Sequence, residues 1–200
     1  MAKRKVTNPL ALAVLAFLVM GPMHPYELGR RLTETGKDKD IKFNRGSLYM
    51  VMEQLRKAGF VVAQETVRDT QRPERTVYAL TDDGRTELYD WLGQLVSDPA
   101  HEYPQFGVAL SLLSVLKPND AADLLTRRLA ALTAELDELG QSVRTATDGG
   151  LPWVFVVEDN YRLAMLETES RFVAELVESL NQPDYVKAWQ EQFGGGATRS

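Results

Sequence analysis

The 200-residue sequence has no cysteine, only two histidines and no long apolar run. Without cysteine there are no disulfide bonds, thiol nucleophiles or thiolate zinc sites, and His24 and His101 are too far apart in the chain to indicate a metal site. The longest apolar run, Leu10 to Met20, has 11 residues, whereas a membrane-spanning helix needs about 20. No cleavage-site pattern follows the short N-terminal arm. We therefore expect a cytoplasmic globular protein with no cofactor and no membrane partner.

Charge is unevenly distributed along the chain. The total is 28 acidic against 23 basic residues. Residues 1–97 nevertheless hold 15 basic and 12 acidic side chains, a net charge of +3, which leaves −8 for residues 98–200. A basic segment beside an acidic one favours a polyanion-binding module joined to a module with another role. We predict a first domain at 1–97, a second at 98–182 and a partly disordered tail at 183–200.

Local sequence signals mark where helices begin and end in the first half of the chain. A buried helix is predicted for Leu10–Met20, because this run is apolar on all sides and lies between two helix-breaking dipeptides. The pattern of Pro25–Thr35 predicts an amphipathic second helix with His24 as its cap. Thr81 is expected to cap a further helix, whose first turn carries two carboxylates that favour the positive end of its dipole.

A third helix is predicted between Asn44, which can cap it, and Gly59, which ends it. Its apolar residues recur at spacings of three and four, so they share one buried face: Leu48, Val51, Met52 and Leu55. The opposite, outward face carries Gly46, Tyr49, Met50, Glu53, Gln54 and Lys57. A ligand of this helix would therefore bind to its outward face.

A hairpin follows the third helix. Phe60–Val67 and Arg75–Leu80 are rich in strand-forming residues, and the polar segment between them gives the hairpin a basic tip. The tip carries Arg68, Arg72 and Arg75. Three helices, a two-stranded hairpin and a further helix are the order of a winged helix-turn-helix. The expected fold class is mainly α, a winged helix-turn-helix followed by a long, helical, coiled-coil-like dimerisation domain.

Several spaced motifs occur in this half: GSLY at 46–49, then Leu55, Gly59 and Phe60, and then Tyr78, Leu80, Thr81 and Gly84. Together with GPMHPYEL at 21–28, they resemble the PadR family of bacterial transcriptional regulators. The resemblance covers roughly residues 9–97 and departs from the family at Met50, where proline is more common. It implies DNA binding, a helical C-terminal dimerisation domain and control by phenolic acids or hydrophobic drugs.

DNA binding is predicted from the outward face of the third helix and from the wing. A helix that reads the major groove needs a buried stripe to hold it and an outer face that approaches bases and phosphates. Arginine and lysine side chains add phosphate contacts that position the helix. The predicted DNA-binding residues are Tyr26, Arg45, Gly46, Ser47, Tyr49, Gln54, Lys57, Arg68, Arg72 and Arg75.

Structural alternatives exist for these residues. The outward face is otherwise a solvated helix surface, the wing tip a soluble loop and Tyr26 a core residue. Lys3-Arg4-Lys5 is either an arm along DNA or a solubilising terminus.

The second half carries a heptad pattern from Ala122 to Val143, which predicts a coiled-coil-like helix. A second helix, Trp153 to Leu180, has two apolar faces. One face holds Tyr161, Met165, Phe172 and Leu176, and the other holds Leu163, Leu166, Val173 and Val177. Two apolar faces need two partners, so we predict a homodimer. The predicted dimerisation residues are Leu125, Leu129, Leu132, Leu136, Leu139, Phe172 and Leu176.

Aromatic residues near the junction of the halves either belong to the core or line a pocket for an aromatic or hydrophobic effector. They are Trp91, Tyr103, Phe106, Trp153 and Tyr161. The function expected is a sequence-specific regulator of a double-stranded DNA operator, a repressor released by a small molecule. The alternatives are a protein-interaction adaptor and a small-molecule enzyme. The sequence nominates no catalytic residue for the enzyme.

Overall fold

The computed structural model describes residues 4–38, 41–64 and 76–193. The chain forms two compact units, Met1–His101 and Glu102–Ser200, so the division falls close to the boundary expected from charge. Within the described residues, none of the helices combines the length and the apolarity that a bilayer span requires.

The first unit is the predicted winged helix-turn-helix. Its elements are α1 (Pro9–Leu18), α2 (Pro25–Glu34), α3 (Arg45–Ala58), β1 (Val61–Gln64), β2 (Val77–Leu80) and α4 (Asp82–Ser97). The two strands are antiparallel, with Val61 opposite Leu80. Met23, just before α2, exchanges backbone hydrogen bonds with Tyr78 and so joins the edge of this sheet. The wing-tip residues Arg68, Arg72 and Arg75 lie outside the described residues.

The core of the first unit is built around α1. This helix begins at Pro9, after Asn8 accepts a hydrogen bond from the backbone N–H of Leu10 (2.9 Å). Five of its ten residues are buried, in agreement with an apolar run on all sides. Leu28 and Leu32 of α2 pack against it. The predicted inner face of α3 is buried at all four positions, which fixes the direction of the outward face.

The end of α3 is joined to the start of α4. Gly59 ends α3 with φ of 84°, a left-handed conformation that favours glycine. Its carbonyl oxygen accepts a hydrogen bond from Thr81 Oγ1 (2.8 Å), and the same oxygen of Thr81 accepts from Gly84 N (3.0 Å). The backbone of Gly84 lies against the Phe60 carbonyl, since a Cβ built on Gly84 would be 2.0 Å from that oxygen. Five of the spaced motif residues therefore form one structural joint: Gly59, Phe60, Leu80, Thr81 and Gly84.

The second unit is a pair of long helices with shorter ones around it. Its elements are α5 (Gln105–Ser111), a 3-10 helix (Leu113–Val115), α6 (Pro118–Asp148), a 3-10 helix (Trp153–Phe155), α7 (Val157–Leu180) and α8 (Pro183–Phe193). Leucines of the heptad pattern pack against Leu166 and Val173 of α7. Arg128 pairs with Glu169, and Arg162 with Glu135, across the two helices. The predicted second helix is thus shortened at its start by a separate 3-10 turn.

Helix α8 occupies part of the segment expected to be a tail. Tyr185 packs against the hydrophobic core of the second unit. Trp189 Nε1 donates a hydrogen bond to the Ser114 carbonyl oxygen (2.9 Å). The aromatic residues Tyr185, Trp189 and Phe193 recur every four residues, a helical spacing that places them on one side. This short pattern explains why residues 183–193 are helical and packed.

Candidate nucleic-acid interface

The N-terminus of α3 is held by a reciprocal cap. Asn44 Oδ1 accepts a hydrogen bond from Ser47 N (2.8 Å), and Ser47 Oγ accepts from Asn44 N (2.8 Å) and donates to the Asn44 carbonyl oxygen (2.9 Å). The Ser47 hydroxyl hydrogen is therefore donated within the cap. Ser47 thus positions the start of α3, whereas the sequence suggested that its hydroxyl donates to a DNA phosphate. Arg45 and Gly46 lie in the first turn, where backbone N–H groups have no acceptor within the helix and an anion can approach.

Helices α2 and α3 cross closely. A Cβ on Gly29 would lie 3.2 Å from Leu48 Cδ2, so glycine allows α2 to approach the inner side of α3. His24 caps α2 as predicted, with Nδ1 accepting from Tyr26 N (3.1 Å). The His24 ring also meets the Tyr49 ring edge-on, with 6.5 Å between centroids. This contact ties the start of α2 to the outward face of α3.

Two tyrosines are presented beside the first turn of α3. Tyr26 is 62% exposed and Tyr49 is 39% exposed, so the core alternative for Tyr26 is wrong. A groove of about 460 Å³ between α2 and α3 is lined by both tyrosines together with Arg30, Phe43 and Arg45. Three of the predicted DNA-binding residues, Tyr26, Arg45 and Tyr49, are thus brought to one surface.

The C-terminal half of α3 carries one carboxylate and two cations. Glu53 accepts two hydrogen bonds from Arg56, both at 2.8 Å, and lies 3.9 Å from Lys57 Nζ. The hydrogen bond from Arg56 lowers the pKa of the Glu53 carboxyl, and the same pair raises the pKa of Arg56. Arg56 is therefore paired with Glu53. The side chains of Lys57 and Gln54 are both exposed.

Asn44→Ala is expected to lower the stability of the first unit by about 1 kcal/mol, because the cap loses its side-chain acceptor. It should also weaken DNA binding, since the first turn of α3 then frays. Thermal unfolding and DNA titration measure the two effects. Asn44→Ser is the matched control, because serine keeps a capping oxygen. Equal stability of all three proteins would contradict the role of the cap.

Comparison with known proteins finds a family model that matches the segment holding this interface. Residues 14–90, which include α2, the cap and α3, match the model of the Transcriptional regulator PadR-like family. Residues 14–90 therefore form a PadR-like domain. The matched segment covers most of the first unit and includes the α3–α4 joint.

Relatives of known function or structure cover most of the chain. The Negative transcriptional regulator PadR of Bacillus subtilis is 27% identical over 169 residues, which are 80% of this chain and 92% of that protein. A crystal structure of Bacillus subtilis PadR in complex with operator DNA has a TM-score of 0.71 at 21% identity and covers 87% of this chain and 100% of its own. Another, in complex with p-coumaric acid, has a TM-score of 0.68 at 22% identity over 86% and 99% of the two chains. These structures share the PadR-like fold in both units.

The aromatic residues predicted to bind an effector have different surroundings. Trp91 is buried in the first core, under the guanidinium of Arg4. Phe106 is half-buried, with the Arg128 guanidinium 3.6 Å from its ring centroid. Tyr103, Trp153 and Tyr161 are exposed. A PadR-like effector site built from them stays a prediction.

The residues predicted for dimerisation divide into two groups. Five leucines of the heptad pattern pack within one chain against α7, and Leu176 of α7 joins this core. Phe172 is 47% exposed and lies on the same side of α7 as Tyr161 and Met165, which are also exposed. The heptad leucines therefore lie in the core of this unit, and Tyr161, Met165 and Phe172 form an exposed apolar face of α7. Within the described residues, no group of three acidic or histidine side chains is placed to hold a metal ion.

Proposed function

We propose that this protein is a sequence-specific, DNA-binding transcriptional repressor that acts as a cytoplasmic homodimer. The observation that carries the proposal is the capped helix α3, whose inner face is buried and whose first turn presents Arg45 and Tyr49 beside Tyr26. The match of residues 14–90 to the PadR-like family model and the name of the Bacillus subtilis relative support the same function. A catalytic role has no support, so we propose that the protein is not an enzyme.

In this proposal α3 enters the major groove with its N-terminal half. Backbone N–H groups of the first turn and the hydroxyls of Tyr26 and Tyr49 approach phosphates, while Gln54 is within the exposed face that reaches the DNA. Ser47 keeps α3 in place through its cap. Two protomers related by a two-fold axis would place their α3 helices about 34–36 Å apart on a palindromic site.

Dimerisation is assigned to the outer face of α7. Tyr161, Met165 and Phe172 are large, exposed and on one side of the helix. Apolar surface of this kind is stabilised when a partner removes it from water. A second copy of the chain supplies the same face, as a two-fold interface requires.

An aromatic effector is proposed to release the DNA. Bacillus subtilis PadR has been crystallised both with operator DNA and with p-coumaric acid, so a flat phenolic acid is the class we expect here. The exposed rings of Tyr103 and Trp153 are the candidates for stacking on such a ligand, because the Tyr161 ring belongs to the proposed dimer face. Release requires that the ligand bind the DNA-free form more tightly than the DNA-bound form.

The decisive experiment is capture of fragmented host genomic DNA by the purified protein, with washes at rising salt and sequencing of what remains. We expect a few fragments that share an inverted repeat and survive moderate salt, because nonspecific phosphate binding weakens steeply as salt rises. Absence of enrichment at low salt would contradict the proposal and favour a protein-interaction adaptor.

Tyr49→Ala is expected to weaken operator binding about tenfold while leaving the dimer intact, because the exposed ring contacts His24 on the face of α3 proposed to meet DNA. Titration of labelled operator measures the affinity, and sedimentation measures the dimer. Tyr89→Ala is the matched control, since Tyr89 is an exposed tyrosine of α4. An equal loss of operator affinity in both variants would show that Tyr49 is not part of the interface.

A further inference from the structure

The basic N-terminal segment is divided between two surfaces of the first unit. Arg4 pairs with Glu87, donates a hydrogen bond to Gln94 Oε1 (3.1 Å) and lies 5.0 Å from the centroid of the Trp91 ring. Val6 is buried in the core and anchors the chain. Between them, the ammonium of Lys5 lies 5.6 Å from the centroid of the Phe60 ring. Arg4 is therefore committed to α4, and Lys5 is directed to the side where α3 ends.

Lys5 meets α3 at a groove of about 560 Å³. Its lining includes Lys5 and Asn8 from the N-terminal segment, and Gln54 and Lys57 from the outward face of α3. Among the described residues that line this groove, two are lysines and none is a carboxylate. We call it the Lys5–Lys57 groove.

The groove beside Arg4 has the opposite character. That groove contains Asp90 and Asp98 together with Arg4, so an anion there would meet two carboxylates. Beside the Lys5–Lys57 groove, the Glu53 carboxylate lies 3.9 Å from Lys57 Nζ and accepts two hydrogen bonds from Arg56. Positive charge is therefore available on one side of the N-terminal segment and compensated on the other.

We propose that the Lys5–Lys57 groove binds a backbone phosphate of the DNA on which α3 docks, with Lys5 as a phosphate-contacting residue. This inference rests on the proposed function and extends the DNA surface from α3 onto the N-terminal segment. Two ammonium groups and the amides of Asn8 and Gln54 are the donors that phosphate oxygens accept. DNA is favoured over a free phosphate ion because the groove is continuous with the outward face of α3, where Gln54 lies.

Arg4 is a positioning residue in this arrangement. Its contacts with Glu87, Gln94 and Trp91 hold the segment against α4, so Lys5 reaches α3 without first having to be ordered. Ordering a flexible arm on binding would reduce the affinity gained from its charge.

The test is the salt dependence of DNA binding by the full chain, with Lys5→Ala, Lys5→Arg and Lys187→Ala compared with the wild type. Lys187 is an exposed lysine of α8, so its removal matches the change in net charge. The probes are a captured genomic fragment and a duplex of random sequence. For Lys5→Ala we expect the slope of log K against log salt to fall by about one unit per protomer, and the affinity at about 0.15 M salt to fall about fivefold per protomer.

The loss should be equal for the two duplexes, because a phosphate contact carries no sequence information. Lys5→Arg should keep the slope, and Lys187→Ala should keep both slope and affinity. An unchanged slope in Lys5→Ala overturns the inference while leaving the repressor proposal intact. Failure of the wild type to bind either duplex would overturn both.

A final measurement distinguishes a DNA phosphate from a free anion as the ligand of the groove. Inorganic phosphate is titrated at constant ionic strength while backbone amide resonances of residues 5–8 are followed. Weak or no response below about 10 mM is expected, since isolated surface charges hold small ions poorly. Saturable binding below about 1 mM together with an unchanged DNA slope would assign the groove to a free anion and overturn the inference.

Discussion

Gly84→Ala is expected to destabilise the first unit by about 3 kcal/mol and to lower its Tm by more than about 10 °C. The added Cβ would lie 2.0 Å from the Phe60 carbonyl oxygen and 2.9 Å from Leu80 Cδ1. The closer atom belongs to the backbone, so the clash is relieved only by moving α4 away from the end of α3. Thermal unfolding of the purified variant measures the loss.

Gly93→Ala is the matched control for this prediction. Gly93 lies in the same helix, and a Cβ there meets no atom within 4 Å. Alanine in an open helical position should stabilise the protein by about 0.5–1 kcal/mol, because glycine loses more conformational freedom on folding. Opposite signs for the two substitutions are therefore expected. A neutral Gly84→Ala would mean that the joint between α3 and α4 is loose.

Phe172→Glu is expected to convert the dimer into a monomer at micromolar concentration and to weaken operator binding more than about 100-fold. The substitution places a charge in the apolar outer face of α7, which carries Tyr161 and Met165 as well. A monomer engages only one half-site, so it loses the gain from simultaneous binding of two sites. Sedimentation velocity and operator titration measure the two effects.

Asn160→Glu adds the same charge to an exposed position of α7 that lies about 100° around the helix from Tyr161. It should leave both the dimer and the DNA affinity unchanged. A dimeric Phe172→Glu protein would show that the protomers meet elsewhere. A monomeric Phe172→Glu protein that binds operator at the wild-type level would show that two-fold symmetry is not used on DNA.

The first unit was predictable because its signals are local. Apolar spacing in α3 gave the buried face, and Asn44, Gly59 and Thr81 gave helix ends, since caps depend on residues within one turn. The role of Ser47 was also readable, because an Asn three residues before a Ser fits a reciprocal cap. An exposed hydroxyl at this position also resembles a phosphate donor, so the DNA contact of Ser47 stays a prediction while its place in the cap is observed.

Contacts between distant segments could not be predicted in the same way. The heptad pattern of α6 indicates that its leucines need a partner, but the pattern is the same whether that partner is α7 of the same chain or a second protomer. Arg4 and Lys5 look alike in the sequence. Only the fold, which brings Glu87 to one side of the segment and Gln54 to the other, separates their roles.

The joint formed by Gly59, Thr81 and Gly84 couples the orientation of α4 to that of α3. Helix α4 has 16 residues, which correspond to a length of about 24 Å. Because the hydrogen bonds of Thr81 couple the start of α4 to the end of α3, we expect a tilt of the far end of α4 to be transmitted to α3, the helix proposed to read DNA. A tilt of about 5° acting over about 24 Å displaces the other end by about 2 Å. That displacement exceeds half of the 3.4 Å step between successive base pairs, so a small angular change at α4 is enough to move α3 out of register with its site.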